Sequence, residues 1–316
     1  MNVDDHNPDP QEKPMVSDVS PQAVTAPSSQ DSSETASGGS AQTLSELAPV
    51  ISPGYLGPVV RPLPEDLRVP WGWSDLLMLL VVAFALLLVL TTVVVSGFRA
   101  AGVSMAEIKQ SITEQGLLSI IAMALLSVCL LVYLAAQMRL RFHSPVWRTL
   151  GWRPLHTKQL PKRTAYLGLV AGGFLLSFLV AAASSLFKTK TNMPIEQFFQ
   201  DRHTAVLLLI MSVTLAPLLE ETVFRGYVYP VAARSFGVPI GILFTGTIFG
   251  LLHSSQLGNN WPQVGLLVLV GIIFTYARSK TGTVVASYIL HVSYNSFIAF
   301  GVLIASRGFH HLPQFH

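Results

Sequence analysis

Two adjacent carboxylates, Glu220 and Glu221, lie in an otherwise apolar run, Ala216-Pro217-Leu218-Leu219-Glu220-Glu221-Thr222-Val223-Phe224-Arg225. An ionisable side chain at the centre of a membrane helix costs about 2.5–3.5 kcal/mol even on the lenient insertion scale, so such groups face a bundle interior or a wet cavity. Of the nine acidic residues beyond position 50, these two are the only ones expected inside membrane spans. Of nine histidines, only His253 and His291 fall in apolar runs, within Phe249-Gly250-Leu251-Leu252-His253 and His291-Val292-Ser293-Tyr294-Asn295. A step of four residues keeps two side chains on one helix face. Glu221 with Arg225, Phe249 with His253, and His291 with Asn295 should therefore each point one way. Pro217 removes a backbone hydrogen bond and should kink the helix beside the carboxylates.

Three helices could thus bring two carboxylates, an arginine, two imidazoles and an amide to one cavity. Glu221 and Arg225 would neutralise each other, leaving Glu220 as a base for water, with His253 sharing that water. His291 and Asn295 offer donors on one face, as a developing oxyanion needs. These are the parts for water attack on an amide. Each piece also has a plainer reading. The Glu221–Arg225 pair could simply hold a bundle together, a lone intramembrane histidine is more often a packing residue, Asn295 could be interhelical glue, and Phe249 would pack the wall of the site.

Composition says where these helices sit. The chain has 316 residues, 51% hydrophobic and 12% charged, against roughly 25% charged in soluble domains. Residues 1–50 carry a net charge of −7 and the remainder +10. The cations cluster at the ends of apolar runs, which is how membrane topology is written and gives no reason to invoke nucleic acid. The lone Cys129 excludes an internal disulfide and a cysteine metal cluster, and reads as a buried small hydrophobe.

The expected fold class is an all-α, polytopic membrane helix bundle of about seven helices, with an eighth not excluded. Residues 1–50, rich in Ser, Pro and acidic residues and without an aromatic, should be a disordered tail. It lacks the features of a signal peptide, so the first span should be an uncleaved anchor. Residues 51–70, with five prolines, form an extended connector. Trp71 and Trp73 look like interfacial anchors. Spans are expected at Leu76–Ser96, Leu117–Met138, Ala165–Phe187, Thr204–Arg225, Pro239–His253, Val264–Ala277 and Val284–Ala305, the fifth and sixth being short. Gly168/Gly172 and Gly246/Gly250 have the spacing that lets helices approach closely. Arg139, Arg141, Arg148, Arg153, Lys158, Lys162 and Arg163 occupy one loop without an acidic residue, which places that loop and the N-terminus in the cytoplasm. On these spans Glu220 and His253 could differ in depth by about 10 Å or more, a gap that tilt, a longer fourth helix or a partly buried turn would close.

Taken in order, Glu-Glu-x-x-x-Arg (Glu220, Glu221, Arg225), Phe-x-x-x-His (Phe249, His253) and His-x-x-x-Asn (His291, Asn295) resemble the motif series of the CPBP family. That family comprises type II CAAX prenyl endopeptidases and bacteriocin-processing enzymes, and is also called the abortive-infection family. The resemblance covers about 198–305 as a catalytic core, with 71–197 as further membrane helices and 306–316 as a tail. It implies an intramembrane endopeptidase in which Glu220 activates water with His253, His291 and Asn295 stabilise the oxyanion, and Glu221, Arg225 and Phe249 support them. The implied substrate is a membrane-associated, CAAX-like peptide or protein, and the implied location is a bacterial cell membrane. Family members are often described as metalloproteases, yet a glutamate-dependent mechanism needs no cofactor. The chain has no His-Glu-x-x-His zinc motif, although Glu220, His253 and His291 could form a three-ligand site if they converge. His310, His311 and His316, in a terminal tail without other ligands, are weak metal candidates. Two other functions remain open: a non-catalytic immunity or scaffold protein, and a proton-coupled transporter, for which a second carboxylate segment is lacking.

Overall fold

The computed structural model describes residues 63–157, 161–187 and 194–309. The acidic stretch 1–50, connector residues 51–62, Lys158 and the three terminal histidines lie outside the described residues. Among those described, every regular element is helical. Six helices are long and apolar enough to cross a bilayer: α1 (Trp73–Ala100), α2 (Gln115–Arg141), α3 (Lys162–Ser184), α4 (Arg202–Phe236), α6 (Trp261–Thr281) and α7 (Val284–Ala305). Between α4 and α6 lies a shorter apolar helix, α5 (Val238–Leu252). The chain is a multi-pass integral membrane protein. Leu77, Leu80, Phe84, Leu88 and Val89 of α1 stay exposed, as a lipid-facing stripe must.

α4 and α5 form a hairpin about Gly237, whose φ of 85° suits glycine. α5 packs closely on α6, α6 on α7, and α7 on α3 and α4, while α1 and α2 pair beside them. The α5–α6 approach depends on Gly246 and Gly250. A Cβ on Gly246 would sit 2.5 Å from the Ile272 amide nitrogen, and one on Gly250 would sit 2.6 Å from that of Val268. Gly168 plays no such part, since a Cβ there would meet nothing within 4 Å. Gly173 makes the close approach instead, where a Cβ would lie 2.5 Å from the Leu290 carbonyl oxygen.

Several expectations need correction. The fourth span does not end at Arg225 but continues to Phe236. Arg225 looks like an end-of-span cation, yet it is fully buried and ion-paired. The other boundaries shift by four residues or fewer, and the sixth span is full length at 21 residues. Trp71 is no interfacial anchor: it is buried, stacks on Tyr227 at 4.8 Å, and donates its indole N–H to the Tyr227 carbonyl. Trp73 does stay half-exposed, with its indole N–H on Ser235. Asp75 is a third carboxylate inside a span, in the first turn of α1, where it accepts the Gly72 amide and pairs with Arg141. The connector is not wholly extended, because Glu65–Leu67 forms a 3₁₀ turn with Leu67 buried. Among the described residues, two of the loop cations have carboxylate partners, Arg141 with Asp75 and Arg153 with Glu65. Cys129 is half-buried rather than buried.

Candidate active site

α4 is not one regular helix. Its first part, Arg202–Val213, stops at Thr214, whose φ of −121° and ψ of −86° lie outside helical space. Helix resumes over Leu215–Glu220, widens to a π-helix over Glu221–Val228, and returns to α over Tyr229–Phe236. Pro217 accounts for the break, because it has no N–H and its ring clashes with the carbonyl four residues earlier. The break frees the Ser212 carbonyl, and the Asn295 amide donates to it at 2.7 Å. π-helical turns are rare and often mark functional sites. This one carries Glu221 and Arg225 and starts next to Glu220.

The hairpin sets the depth of the site. Glu220 stands 17 residues before Gly237 and His253 stands 16 after it. On antiparallel helices rising about 1.5 Å per residue, both lie about 25 Å from the turn. The longer α4 therefore removes the depth gap expected from the shorter span. His253 Nε2 lies 3.7 Å from Glu220 Oε1, and His291 Nε2 of α7 lies 3.7 Å from Glu220 Oε2. Three helices meet at one carboxylate.

A second layer supports these groups. Glu221 Oε1 accepts from Arg225 at 2.9 Å and faces His291 Nδ1 at 2.9 Å. The Arg225 guanidinium also donates to the Gly271 carbonyl at 2.9 Å and to Thr275 Oγ1 at 3.2 Å. It lies 4.5 Å from the Phe249 ring centroid and 5.4 Å from that of Phe274, close enough for cation–π attraction. Phe249 packs against His253 and edge-on to His291 and Phe224, so it does line the wall. Glu221 and Arg225 are fully buried, whereas the Glu220 and His253 side chains remain 22% and 20% exposed. The Glu221–Arg225 pair is sealed, whereas Glu220 and His253 are reachable.

Hydrogen-bond partners fix the imidazole tautomers. His253 Nδ1 lies 2.7 Å from the Phe249 carbonyl, which can only accept, so Nδ1 carries the proton. His291 Nδ1 lies against a carboxylate oxygen that already accepts from Arg225, so it too is protonated. In the neutral rings both Nε2 atoms are then lone-pair acceptors facing Glu220. Formal charge over Glu220, Glu221 and Arg225 is −1, and one additional proton on an imidazole makes the cluster neutral.

Residues 202–297 match the family model described as type II CAAX prenyl endopeptidase Rce1-like. The match covers that segment and not the rest of the chain. The Rce1-like segment runs from the start of α4 into α7 and contains all seven residues singled out above. An uncharacterized 24.3 kDa protein of Escherichia coli is 32% identical over 125 residues, which is 38% of this chain and 54% of that protein. Protein YyaK of Bacillus subtilis (strain 168) is 27% identical over 156 residues, 46% of this chain and 52% of its own length. The chain thus spans about half the length of the curated relatives it matches. No solved structure matches.

Donors sharing one tetrahedral zinc with bonds near 2.0–2.1 Å would lie roughly 3.3 Å apart. The two nitrogen–oxygen separations here are 3.7 Å, and among the described residues no group of three or more His, Cys, Asp or Glu is arranged to hold a metal ion. As placed, these donors stand wider apart than the ligands of one tetrahedral zinc. The Rce1-like segment also uses residues that spacing along the chain does not reveal. Gly271 and Thr275 anchor Arg225 from α6, and Ser212 takes the Asn295 amide. Their roles arise between helices, so no periodicity within one helix signals them.

Proposed function

We propose that the chain is an intramembrane endopeptidase that hydrolyses a peptide bond of a membrane-associated substrate, with Glu220 as the base. The observation that carries this reading is the convergence of Glu220, His253 and His291 at one depth inside an Rce1-like segment. A separation of 3.7 Å is too long for a direct hydrogen bond, yet one water can touch both groups at about 2.8 Å. That water would lie between the Glu220 carboxylate and His253 Nε2. As its oxygen attacks the scissile carbonyl carbon, its proton passes to Glu220 and the carbonyl oxygen takes the negative charge.

His291 supplies the counter-charge. Its Nδ1–H is held by Glu221, so only the imidazolium has an Nε2–H to donate to the oxyanion. Glu221, fixed by Arg225, balances that imidazolium. Asn295 commits one amide hydrogen to Ser212, and its second is the further donor. Collapse of the tetrahedral intermediate breaks the C–N bond, and the proton on Glu220 goes to the leaving amine. Atoms and charge balance with water as the sole co-reactant. The family description points to lipid-modified CAAX peptides as the substrate class. The loop cations support a cytoplasmic N-terminus, and the bacterial relatives support a bacterial cell membrane.

The test uses the full chain in bilayer nanodiscs, quenched prenylated and unmodified peptides, and parallel arms with and without chelator. Glu220→Gln should lower the cleavage rate about 10²–10⁴-fold, the usual worth of a general base, with the unfolding midpoint unchanged. Undiminished cleavage by that variant removes Glu220 from the base role. If the wild type cleaves no peptide while a cellular phenotype survives Glu220→Gln with His253→Ala, the chain is a scaffold or immunity factor.

A further inference from the structure

Away from the carboxylate site, an open basin of about 640 Å³ is lined by Leu63, Glu65, Asp66, Arg68, Arg148, Arg153 and Arg234, among others. Its walls come from chain flanking four spans. Residues 63–70 precede α1, residues 144–153 lie between α2 and α3, and Arg234 is in the last turn of α4. The basin therefore sits where helices leave the hydrocarbon and enter the headgroup layer.

Its charge is unevenly spent. Glu65 is paired with Arg153, and Asp66 with Arg278, which does not line the basin. Arg234 is held by the Val69 and Trp71 carbonyls at 2.8 and 2.7 Å, which orient it without neutralising it. Arg68 uses only its Nε, on the Leu63 carbonyl. Among the described residues the exposed Arg148 guanidinium has no carboxylate in reach. Four guanidinium groups and two carboxylates thus line the basin, and among the described residues Arg68, Arg148 and Arg234 form no ion pair with either carboxylate. Guanidinium forks match phosphate oxygens in pairs. The exposed Leu63 lines the basin as well, an apolar surface for an amphiphile's upper chain.

We propose that this basin binds the phosphodiester of an anionic phospholipid headgroup. Arg68 and Arg148 grip the phosphate oxygens, and Arg234 contributes fixed charge behind them. The site is independent of the hydrolytic reading, since none of these residues belongs to the Glu220 cluster.

The test measures binding of fluorescent phosphatidylglycerol to the purified full chain in neutral detergent. Phosphatidylcholine serves as the neutral-headgroup control and inorganic phosphate as competitor. At about 5-fold per cation near a lipid surface, Arg68→Gln with Arg148→Gln should weaken phosphatidylglycerol about 30-fold. Arg148→Lys should lose less than Arg148→Gln, and Arg99→Gln, at the far end of α1, should change binding by less than about 2-fold. An unchanged unfolding midpoint in the double variant assigns the loss to binding. The proposal is overturned if phosphatidylcholine binds equally, if the double variant binds as wild type, or if Arg99→Gln loses as much. Full displacement by millimolar inorganic phosphate would show a free-phosphate site and overturn the lipid assignment.

Discussion

Arg225→Gln should be among the most destabilising single changes in the protein, and its partner substitution should relieve it. The guanidinium is fully buried and makes bonds to Glu221 Oε1, the Gly271 carbonyl and Thr275 Oγ1, with Phe249 and Phe274 beside it. Removing it leaves the Glu221 carboxylate with His291 Nδ1 alone beside Oε1, and Oε2 is already buried without a partner. Breaking a buried ion pair from one side costs about 3–5 kcal/mol. Replacing both members removes the uncompensated charge, so Glu221→Gln with Arg225→Gln should cost about 2–3 kcal/mol less than the sum of the singles, within the range for contacting residues. The assay is reversible unfolding in mixed micelles, followed by tryptophan fluorescence, for wild type, both singles and the double. Additivity within about 0.5 kcal/mol, the behaviour of independent sites, would refute the account of this pair.

Other expectations follow from the packing and the caps. Gly246→Ala places a Cβ against the Ile272 backbone, so it should cost about 1–3 kcal/mol. It should also lower cleavage by shifting the Gly271 carbonyl away from Arg225, and both effects can be read on one preparation. Trp71→Ala removes a buried ring stacked on Tyr227 and its indole bond, and should cost about 3–5 kcal/mol in the same unfolding assay. Ser104 donates backbone and side-chain hydrogen bonds that hold the Glu107 carboxyl below its ordinary value. The stabilisation from that cap is therefore present at neutral pH and fades as pH falls through the lowered value. Ser104→Ala should raise it, as a carboxyl-carbon NMR titration would show.

Much of this architecture was legible from the chain because membrane helices announce themselves through length and apolarity, and six of the seven spans matched within four residues. The exception is instructive. The expected span stops at Arg225 although its pairing with Glu221 is expected, and only the Gly271 and Thr275 contacts from α6 show it to be a mid-span residue. Trp71 misleads in the same way, since nothing near it in sequence predicts a stacking partner 156 residues away. At the site, four-residue spacing identified which residues share a face, and His253, His291 and Glu220 do come together. Spacing did not reveal that Asn295 reaches across to the Ser212 carbonyl, because that acceptor exists only where Pro217 opens α4.

Labelled water tests the central claim most directly. Cleavage of a peptide in H₂¹⁸O by the nanodisc-embedded wild type should place one ¹⁸O atom in the new carboxyl terminus, and Glu220→Gln should give almost no labelled product in the same interval. A product without the label, or labelled product from Glu220→Gln at the wild-type rate, would contradict water attack driven by this carboxylate.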